Sequence, residues 1–262
     1  MSSLNPIAAT GFTAADSYDA HRPSYHPVAV SFLLSRLGLP AESPRLVELA
    51  CGTGKFTELL APVVAGRIIA VEPHDSMADV LRRKDLPVEV RKGSAVDIPV
   101  EDGWADAVVA AQVGYPPPFP PSFQKKQKLV DRGELSQAFH WFATPEALTS
   151  IARVLNPSGP KTLGLIWNVE DYNQSRIFEC ETAWESSMRD LNWQFTNDDA
   201  PRFKDGLWRC VFAPGNEHPF DAVEERLFRE VFWEDRDGLW ERFNTLSNIA
   251  NQGEKEKAVC LA

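Results

Sequence analysis

Five short stretches of the chain are predicted to be β-strands because their apolar residues run on without strict alternation. Continuous apolar runs are typical of strands buried on both faces of a parallel sheet. The predicted strands are Leu46–Ala50, Arg67–Pro73, Pro87–Arg91, Trp104–Gln112 and the apolar part of Asn156–Asn168. Apolar residues at helical spacing separate them, so the pattern predicts an α/β fold with a doubly wound, mostly parallel sheet.

Helices are predicted at four places in this half of the chain. Apolar residues recur at helical spacing after Tyr25, after Gly54 and around Met77. A further helix is predicted to begin at Thr144. Its hydroxyl is suited to an N-cap, and Pro145 occupies the first helical position, where proline is tolerated.

A glycine-containing turn, Cys51–Gly54, joins the first predicted strand to the helix that follows. In open α/β sheets a strand, a glycine turn and a helix form a nucleotide site, because a ligand can approach the backbone there. A Walker loop is excluded, since Leu49 stands where its first glycine is required and Phe56 follows Lys55. A dinucleotide fingerprint lacks its third glycine, because Thr57 occupies that position.

The stretch Glu48–Gly54 resembles the first motif of the class I S-adenosylmethionine-dependent methyltransferases, with Ala50 at the usual first glycine. The resemblance covers about residues 16–170 and is specific, because several family motifs occur in order. It implies a Rossmann-like fold with S-adenosyl-L-methionine as the cofactor. It also implies methyl transfer to a small-molecule acceptor, with methylation of an oxygen or a carboxyl group favoured.

Glu72 is expected to bind the ribose of this cofactor. It ends the second predicted strand, 18 residues beyond Gly54, close to the ~20-residue spacing of an acidic ribose ligand in such folds. A carboxylate at this position can accept hydrogen bonds from both ribose hydroxyls. The resemblance implies further cofactor contacts from Tyr18, Arg22, Glu48, Ala50, Gly52, Thr53, Gly54, Ser94, Ala95 and Gln112.

Some of these assignments have alternatives. Tyr18, together with Tyr25, can instead cover the edge of the sheet, and Gln137 can replace Gln112 at the methionine end of the cofactor. His140 is the candidate catalytic base, because it follows the fourth strand at the mouth of the site. A structural role among its aromatic neighbours is the alternative. A hydroxyl or amine acceptor can need a base, whereas a carboxylate acceptor needs none.

Residues 113–137 interrupt the fourth predicted strand. They hold five of the twenty prolines of the chain and a basic patch from Lys125 to Arg132. Without them the chain continues as Ala-Ala-Gln-Ala-Phe-His-Trp-Phe, as in the resembling methyltransferases. We hypothesise that the segment is a translated intron. An intron that begins with GT and ends with CAG, when read in frame, begins with a Val codon and ends with a Gln codon, and the segment begins with Val-Gly and ends with Gln. A Pro-rich ligand loop of polyproline type is the alternative.

The chain becomes rich in aromatic residues after Asn173. We predict a strand over Phe220–Trp233 and a helix over Gly238–Ile249. No candidate for the seventh strand of a class I sheet follows Ala250, so this part is expected to be truncated. The predicted organisation is a cofactor-binding domain of residues 1–170 and an incomplete C-terminal substrate or cap region of residues 171–262.

The composition of the chain argues against several classes of partner and site. A net charge of −10 and a pI of about 5.1 disfavour nucleic acids and anionic membranes. The four cysteines form no Cys-x-x-Cys pair, so neither a metal site nor a disulfide framework is expected. The first residues lack the features of a signal peptide, and no apolar run reaches the ~18 residues of a membrane span. A cytoplasmic location is therefore expected, while the oligomeric state stays open.

Two other functions stay open from the sequence. One is a methyltransferase-like binding protein that the insertion and the short C-terminus have made inactive. The other, less favoured, is a nicotinamide-dependent oxidoreductase, against which the missing third glycine argues.

Overall fold

The computed structural model describes residues 15–111, 143–195, 207–213, 218–221, 223–246, 249 and 252–253. Gln112, His140, Gln137 and the whole segment 113–137 lie outside these ranges, and so does the side chain of Tyr18. What the sequence suggests for them stays a prediction.

Five parallel strands form the described sheet. They are β1 (Arg45–Leu49), β2 (Arg67–Glu72), β3 (Glu89–Lys92), β4 (Ala107–Ala111) and β5 (Thr162–Ile166). Their order is β3-β2-β1-β4-β5, and each neighbouring pair is parallel. The order of the strands reverses at β1, and open α/β sheets bind their ligands beside such a switch point, beyond the carboxyl ends of the strands. The predicted parallel α/β sheet is confirmed.

Helices cover both faces of this sheet. The α-helices of the described ranges are α1 (Ala15–His21), α2 (Pro27–Arg36), α3 (Thr57–Leu60), α4 (Asp75–Arg83), α5 (Pro145–Val154), α6 (Ala183–Gln194) and α7 (Arg236–Asn244), with 3₁₀ helices at Asp171–Asn173 and Leu207–Phe212. Helix α5 begins as predicted, since the Thr144 hydroxyl accepts a hydrogen bond from the N–H of Ala147. None of these helices is long and apolar enough to cross a membrane.

Strand β1 contributes to two hydrophobic clusters, because successive side chains of a strand point to opposite faces. Val47 and Leu49 pack in a cluster that includes Ile151 of α5. Leu46 packs in a second cluster, which includes Phe56 beside α3. All of these side chains are buried, which explains why Leu46, Val47 and Leu49 do not alternate strictly with polar residues.

The segment from Phe220 to Trp233 is irregular in its described residues, so the predicted strand is wrong. Two of its side chains, Glu224 and Phe228, contact helix α2 instead. Glu224 forms an ion pair with Arg36 at 3.0 Å, and the Phe228 ring lies 5.6 Å from the Phe32 ring between centroids. Leu227, Val231 and Trp233 are exposed, so the apolar positions of this segment do not mark the buried face of a strand.

The helix predicted over Gly238–Ile249 is present but shifted toward the N-terminus. Helix α7 begins at Arg236, because the carboxylate of Asp235 caps it by accepting the N–H of Gly238 at 2.8 Å. It ends at Asn244, and the described Ile249 is again helical.

Candidate active site

The turn after β1 leaves open space at the carboxyl edge of the sheet. Gly52 has a φ of +57°, and a Cβ built on it would meet no atom within 4 Å. Gly54, with a φ of +87°, is closely packed, since a Cβ there would lie 2.4 Å from Cδ1 of Leu81 in α4. Gly52 therefore opens the turn to a ligand, whereas Gly54 lets the turn pack against α4.

Ala50 occupies a conformation that favours glycine. Its φ is +51°, in the left-handed region that costs an L-residue about 1–2 kcal/mol. Its methyl group packs against the cluster under α5. Ala50 thus preserves the backbone path of the usual glycine at the expense of local strain. Thr53, in the same turn, is buried close to Asp19 of α1.

Glu72 lies at the end of β2, beside the glycine turn. Its Oε2 accepts the N–H of Gly52 at 2.9 Å, and its Oε1 accepts the N–H of His74 at 3.0 Å. Desolvation raises the pKa of the buried Glu72 to about 7, although the two N–H donors favour the charged form. A carboxylate has about four acceptor sites, so the oxygens keep capacity for further donors. The structure brings this carboxylate and the glycine turn together.

Glu48 lies beneath the turn rather than in its open space. Its Oε2 accepts a hydrogen bond from the hydroxyl of Thr57 at 2.7 Å. Its Oε1 is buried without a hydrogen-bond partner in the described part of the chain. Desolvation raises the pKa of Glu48 to about 8, and the nearby Glu72 adds to the rise. Thr57, in place of the third glycine of a dinucleotide turn, anchors α3 to β1.

The residues after β3 border the other side of Glu72. The N–H of Gly93 donates to the backbone carbonyl of Glu72 at 3.3 Å. Ser94 and Asp97 then exchange two backbone hydrogen bonds of 3.1 Å, which close a tight turn. Ser94 and Ala95 are half-buried in this turn, so they lie at the same edge of the sheet as Glu72.

Helix α1 and the residues after it cross this edge. Asp19 forms an ion pair with Lys84, at the end of α4, at 2.8 Å. Burial opposes ionisation of Asp19, but Lys84 and Thr53 hold its pKa below the ordinary value. On the opposite side Nδ2 of Asn168, just beyond β5, donates to the carbonyl of Ser24 at 2.8 Å. Residues 15–24, which comprise α1 and the residues after it, therefore run from the β2 side to the β5 side of the sheet.

Arg22, in the middle of this crossing, is anchored on the C-terminal helix. Its side chain is buried, and Nη2 donates to the carbonyl of Thr245 at 3.0 Å. Glu170 lies in the same group and accepts Nε and Nη2 of Arg242 at 3.1 and 3.0 Å. Burial opposes ionisation of Glu170, but Arg242 and then Arg22 hold its pKa below the ordinary value.

Comparison with known proteins places this arrangement in a family. A family model described as a methyltransferase domain matches residues 46–133. An uncharacterized methyltransferase-like protein of Schizosaccharomyces pombe is 33% identical over 248 residues, which is 94% of this chain and 81% of that protein. The chain belongs to the class I S-adenosylmethionine-dependent methyltransferases. S-adenosylmethionine is accordingly the cofactor of this methyltransferase.

Two further comparisons show how much of each protein is shared. An uncharacterized methyltransferase of Mycobacterium tuberculosis is 35% identical over 160 residues, so the match covers 61% of this methyltransferase and 52% of the mycobacterial protein. A solved S-adenosylmethionine-dependent methyltransferase from Aquifex aeolicus is 17% identical, with a TM-score of 0.43. That match covers 74% of this chain and 85% of the solved one.

Three residues at the edge of this methyltransferase are absent from the sequence-based predictions: Asp19, Asn168 and Glu170. The sequence holds a signal for two of them. Asn168 and Glu170 follow β5 closely, and polar residues at the carboxyl end of a parallel strand lie at the binding edge of the sheet. Asp19 carries no such signal, because it lies on a helix and its partner is 65 residues away.

Proposed function

We propose that this methyltransferase transfers the methyl group of S-adenosylmethionine to an oxygen or carboxylate of a small molecule. The observation that carries the proposal is the open turn at Gly52 with the carboxylate of Glu72 held against it. The acidic protein, with a net charge of −10, supports a small-molecule acceptor over a nucleic acid.

The carboxyl edge fits the adenosyl part of the cofactor. The open space at Gly52 admits a ligand close to the backbone, and two N–H donors fix the orientation of the Glu72 carboxylate toward a diol. We assign the adenine border to Ser94 and Ala95, which share this edge with Glu72. The shape of the turn itself comes from Glu48, Ala50, Gly52, Thr53 and Gly54.

The methionine end of the cofactor carries a carboxylate, and a guanidinium group binds carboxylates well. Arg22 is the proposed partner, because it is buried on the segment that crosses the edge of the sheet. Tyr18 and Gln112 are proposed for the same end of the cofactor on the strength of the family resemblance alone.

When bound, S-adenosylmethionine would supply an electrophilic methyl group on its sulfonium, with the neutral thioether of S-adenosylhomocysteine as the leaving group. The residues of the chain orient the two reactants and exclude water. We propose His140 as the base for a hydroxyl acceptor, while a carboxylate acceptor needs none. We also propose that residues 171–262 cap the acceptor, next to Trp167 and Trp208, whose rings lie 5.1 Å apart between centroids beyond β5.

Calorimetric titration of the full chain tests the proposal. We expect binding of S-adenosylmethionine and S-adenosylhomocysteine and none of NADH. Folded protein that binds neither adenosyl ligand would overturn the proposal, and binding of NADH would favour an oxidoreductase. Cofactor binding without methyl transfer to a panel of small carboxylic acids and phenols would instead favour the inactive binding protein.

Glu72→Ala tests the ribose contact. We expect the affinity for S-adenosylhomocysteine to fall by about 1.5–3 kcal/mol, because hydrogen bonds to a charged group are lost. Calorimetry gives the dissociation constant, and circular dichroism shows whether the variant folds. Glu89→Ala, on the exposed side of β3, is the matched control and should bind normally. An unchanged dissociation constant for folded Glu72→Ala would show that Glu72 is not the ribose ligand.

We further propose that residues 113–137 derive from an intron, because of their Val-Gly and Gln ends and because removing them restores the sequence of the resembling methyltransferases. Transcript sequencing decides the matter. Messages that mostly lack the segment are expected, whereas messages that mostly retain it would support a real Pro-rich loop. The cytoplasmic location likewise stays a prediction from the sequence.

A further inference from the structure

A buried charged group joins the loop after β5 to the C-terminal helix. The side chain of Glu170 is 5% exposed and that of Arg242 is 12% exposed. Both Nε and Nη2 of Arg242 donate to the same oxygen, Oε1 of Glu170. An ion pair so deeply buried holds its two elements together, because removal of one partner leaves the other charge uncompensated.

The same group reaches Arg22 through the end of α7. The backbone carbonyl of Arg242 accepts the N–H of Thr245 at 3.1 Å and its hydroxyl at 2.6 Å. The carbonyl of Thr245 in turn accepts Nη2 of Arg22 at 3.0 Å. The place of the Arg22 guanidinium therefore depends on the position of α7, which Glu170 holds through Arg242.

Electrostatics ties Arg22 to Glu170 as well. The carboxylate of Glu170 is stabilised by both Arg242 and Arg22. A neutral group in place of this carboxylate would leave two guanidinium groups near each other in a buried environment, where like charges repel strongly. Arg22 would then be displaced from the segment that crosses the sheet.

We propose that Glu170 is a positioning residue for the carboxylate at the methionine end of the cofactor. It holds Arg242 and α7, and thereby Arg22, in the place where Arg22 binds that carboxylate. This inference rests on the proposed function, in which Arg22 is a cofactor contact. Glu170 acts through Arg22 and makes no contact with the cofactor itself.

This role concerns one end of the cofactor only. S-adenosylhomocysteine carries the amino acid carboxylate, whereas methylthioadenosine carries the same adenosine part without it. Loss of the positioning residue should therefore weaken the binding of S-adenosylhomocysteine and leave that of methylthioadenosine almost unchanged. A purely structural role of Glu170 would weaken both ligands alike.

Calorimetric titration of Glu170→Gln with both ligands makes this test. The glutamine keeps the shape of the side chain and one acceptor oxygen but removes the charge. We expect the dissociation constant of S-adenosylhomocysteine to rise about tenfold or more, and that of methylthioadenosine to change by less than about twofold. Glu72→Ala should weaken both ligands, and Glu181→Gln, an exposed glutamate paired with Arg229, should weaken neither.

An unchanged affinity for S-adenosylhomocysteine, or an equal loss for both ligands, would overturn the positioning role. Should Glu170→Gln fail to fold, Glu170→Asp keeps the charge on a shorter side chain and is expected to show a smaller loss, again confined to S-adenosylhomocysteine. Wild-type protein that binds neither ligand would overturn the proposed function, and this inference with it.

Discussion

The edge of the sheet around β1 and β2 and the region after residue 170 are built in different ways. At the glycine turn, backbone N–H groups hold the side chains in place. Glu72, for example, accepts the N–H groups of Gly52 and His74. After residue 170 the ordering comes from side chains distant in sequence, such as Glu170 with Arg242 and Tyr172 with Phe243. The first construction depends on contacts close to the glycine turn, whereas the second depends on side chains that only the fold brings together.

The largest expected effect comes from truncating one core residue in each region. Ile151 and Phe243 are both buried. We expect Ile151→Ala to lower the free energy of unfolding by about 2–5 kcal/mol and Phe243→Ala by about 3–5 kcal/mol. Val63→Ala, on an exposed position, should change it by less than about 0.5 kcal/mol.

Thermal denaturation followed by circular dichroism and tryptophan fluorescence measures these changes. Because Glu170 and Arg22 both contact the end of the chain around α7, we expect one transition that both core variants shift. Two transitions, of which Phe243→Ala moves only one, would show that the two regions unfold independently.

Substitutions of the two glycines in the turn are expected to affect stability and cofactor binding differently. We expect Gly54→Ala to lower the free energy of unfolding by about 2–4 kcal/mol, because the methyl group meets Leu81 and the φ is positive. Gly52→Ala should cost only about 1–2 kcal/mol of stability. Its methyl group enters the open space, so S-adenosylhomocysteine should bind about tenfold more weakly.

Denaturation and calorimetry on the same two variants provide the measurement. If Gly52→Ala binds S-adenosylhomocysteine as tightly as the wild type, the space above Gly52 is not where the ligand lies.

The pKa of Glu72 predicts a pH dependence confined to the cofactor edge. In the unliganded protein this pKa is about 7, above the ordinary value of 4.5. Between these two pH values the folded state keeps a proton that the unfolded chain has lost. The contribution of Glu72 to stability therefore decreases as the pH rises from 4.5 to about 7.

Cofactor binding should show the opposite trend. Ribose hydroxyls donate to the ionised carboxylate, so affinity for S-adenosylhomocysteine should rise with pH, by up to about tenfold per unit, and level off above about pH 7. Calorimetry from about pH 5.5 to 8 measures this dependence. Glu72→Gln is expected to flatten it, and a wild-type affinity independent of pH would contradict it.

The smallest expected effect is a gain at Ala50. Replacement by glycine relieves about 1–2 kcal/mol of left-handed strain and costs about 0.5–1 kcal/mol of chain entropy. We therefore expect Ala50→Gly to raise the free energy of unfolding by up to about 1.5 kcal/mol. Ala147→Gly, in the first turn of α5 and fully buried, is the control and should lower it by about 1 kcal/mol or more. A loss at Ala50 equal to that at Ala147 would show that methyl packing outweighs the strain.

The sequence predicts the sheet well because its determinants are local. Strand β4 is buried on both faces, so its apolar run is unbroken. After its first residue, β1 departs from this pattern only at the buried Glu48. The N-cap of α5 is also local, because the Thr144 hydroxyl accepts the N–H of Ala147, three residues further along the chain. Glu72 could be placed beside the glycine turn because both follow adjacent parallel strands, whose carboxyl ends meet at one edge.

The parts that sequence reasoning missed depend on distant partners. Phe228 packs on Phe32 of α2. No local pattern shows this contact, so the sequence alone wrongly predicts a strand here. Glu170 and Arg242 are 72 residues apart. The family resemblance implies a cofactor contact from Glu48, which stays a prediction, and only the fold shows that its side chain accepts a hydrogen bond from Thr57.

The irregular segment that follows Phe220 has a consequence for handling the protein. Leu227, Val231 and Trp233 are 82%, 73% and 92% exposed. Adjacent apolar side chains open to water favour association between molecules, while a net charge of −10 keeps the molecules apart. Added salt screens that repulsion and leaves the apolar attraction in place. Low ionic strength and a pH well above 5.1 are therefore the conditions in which the protein should stay dispersed.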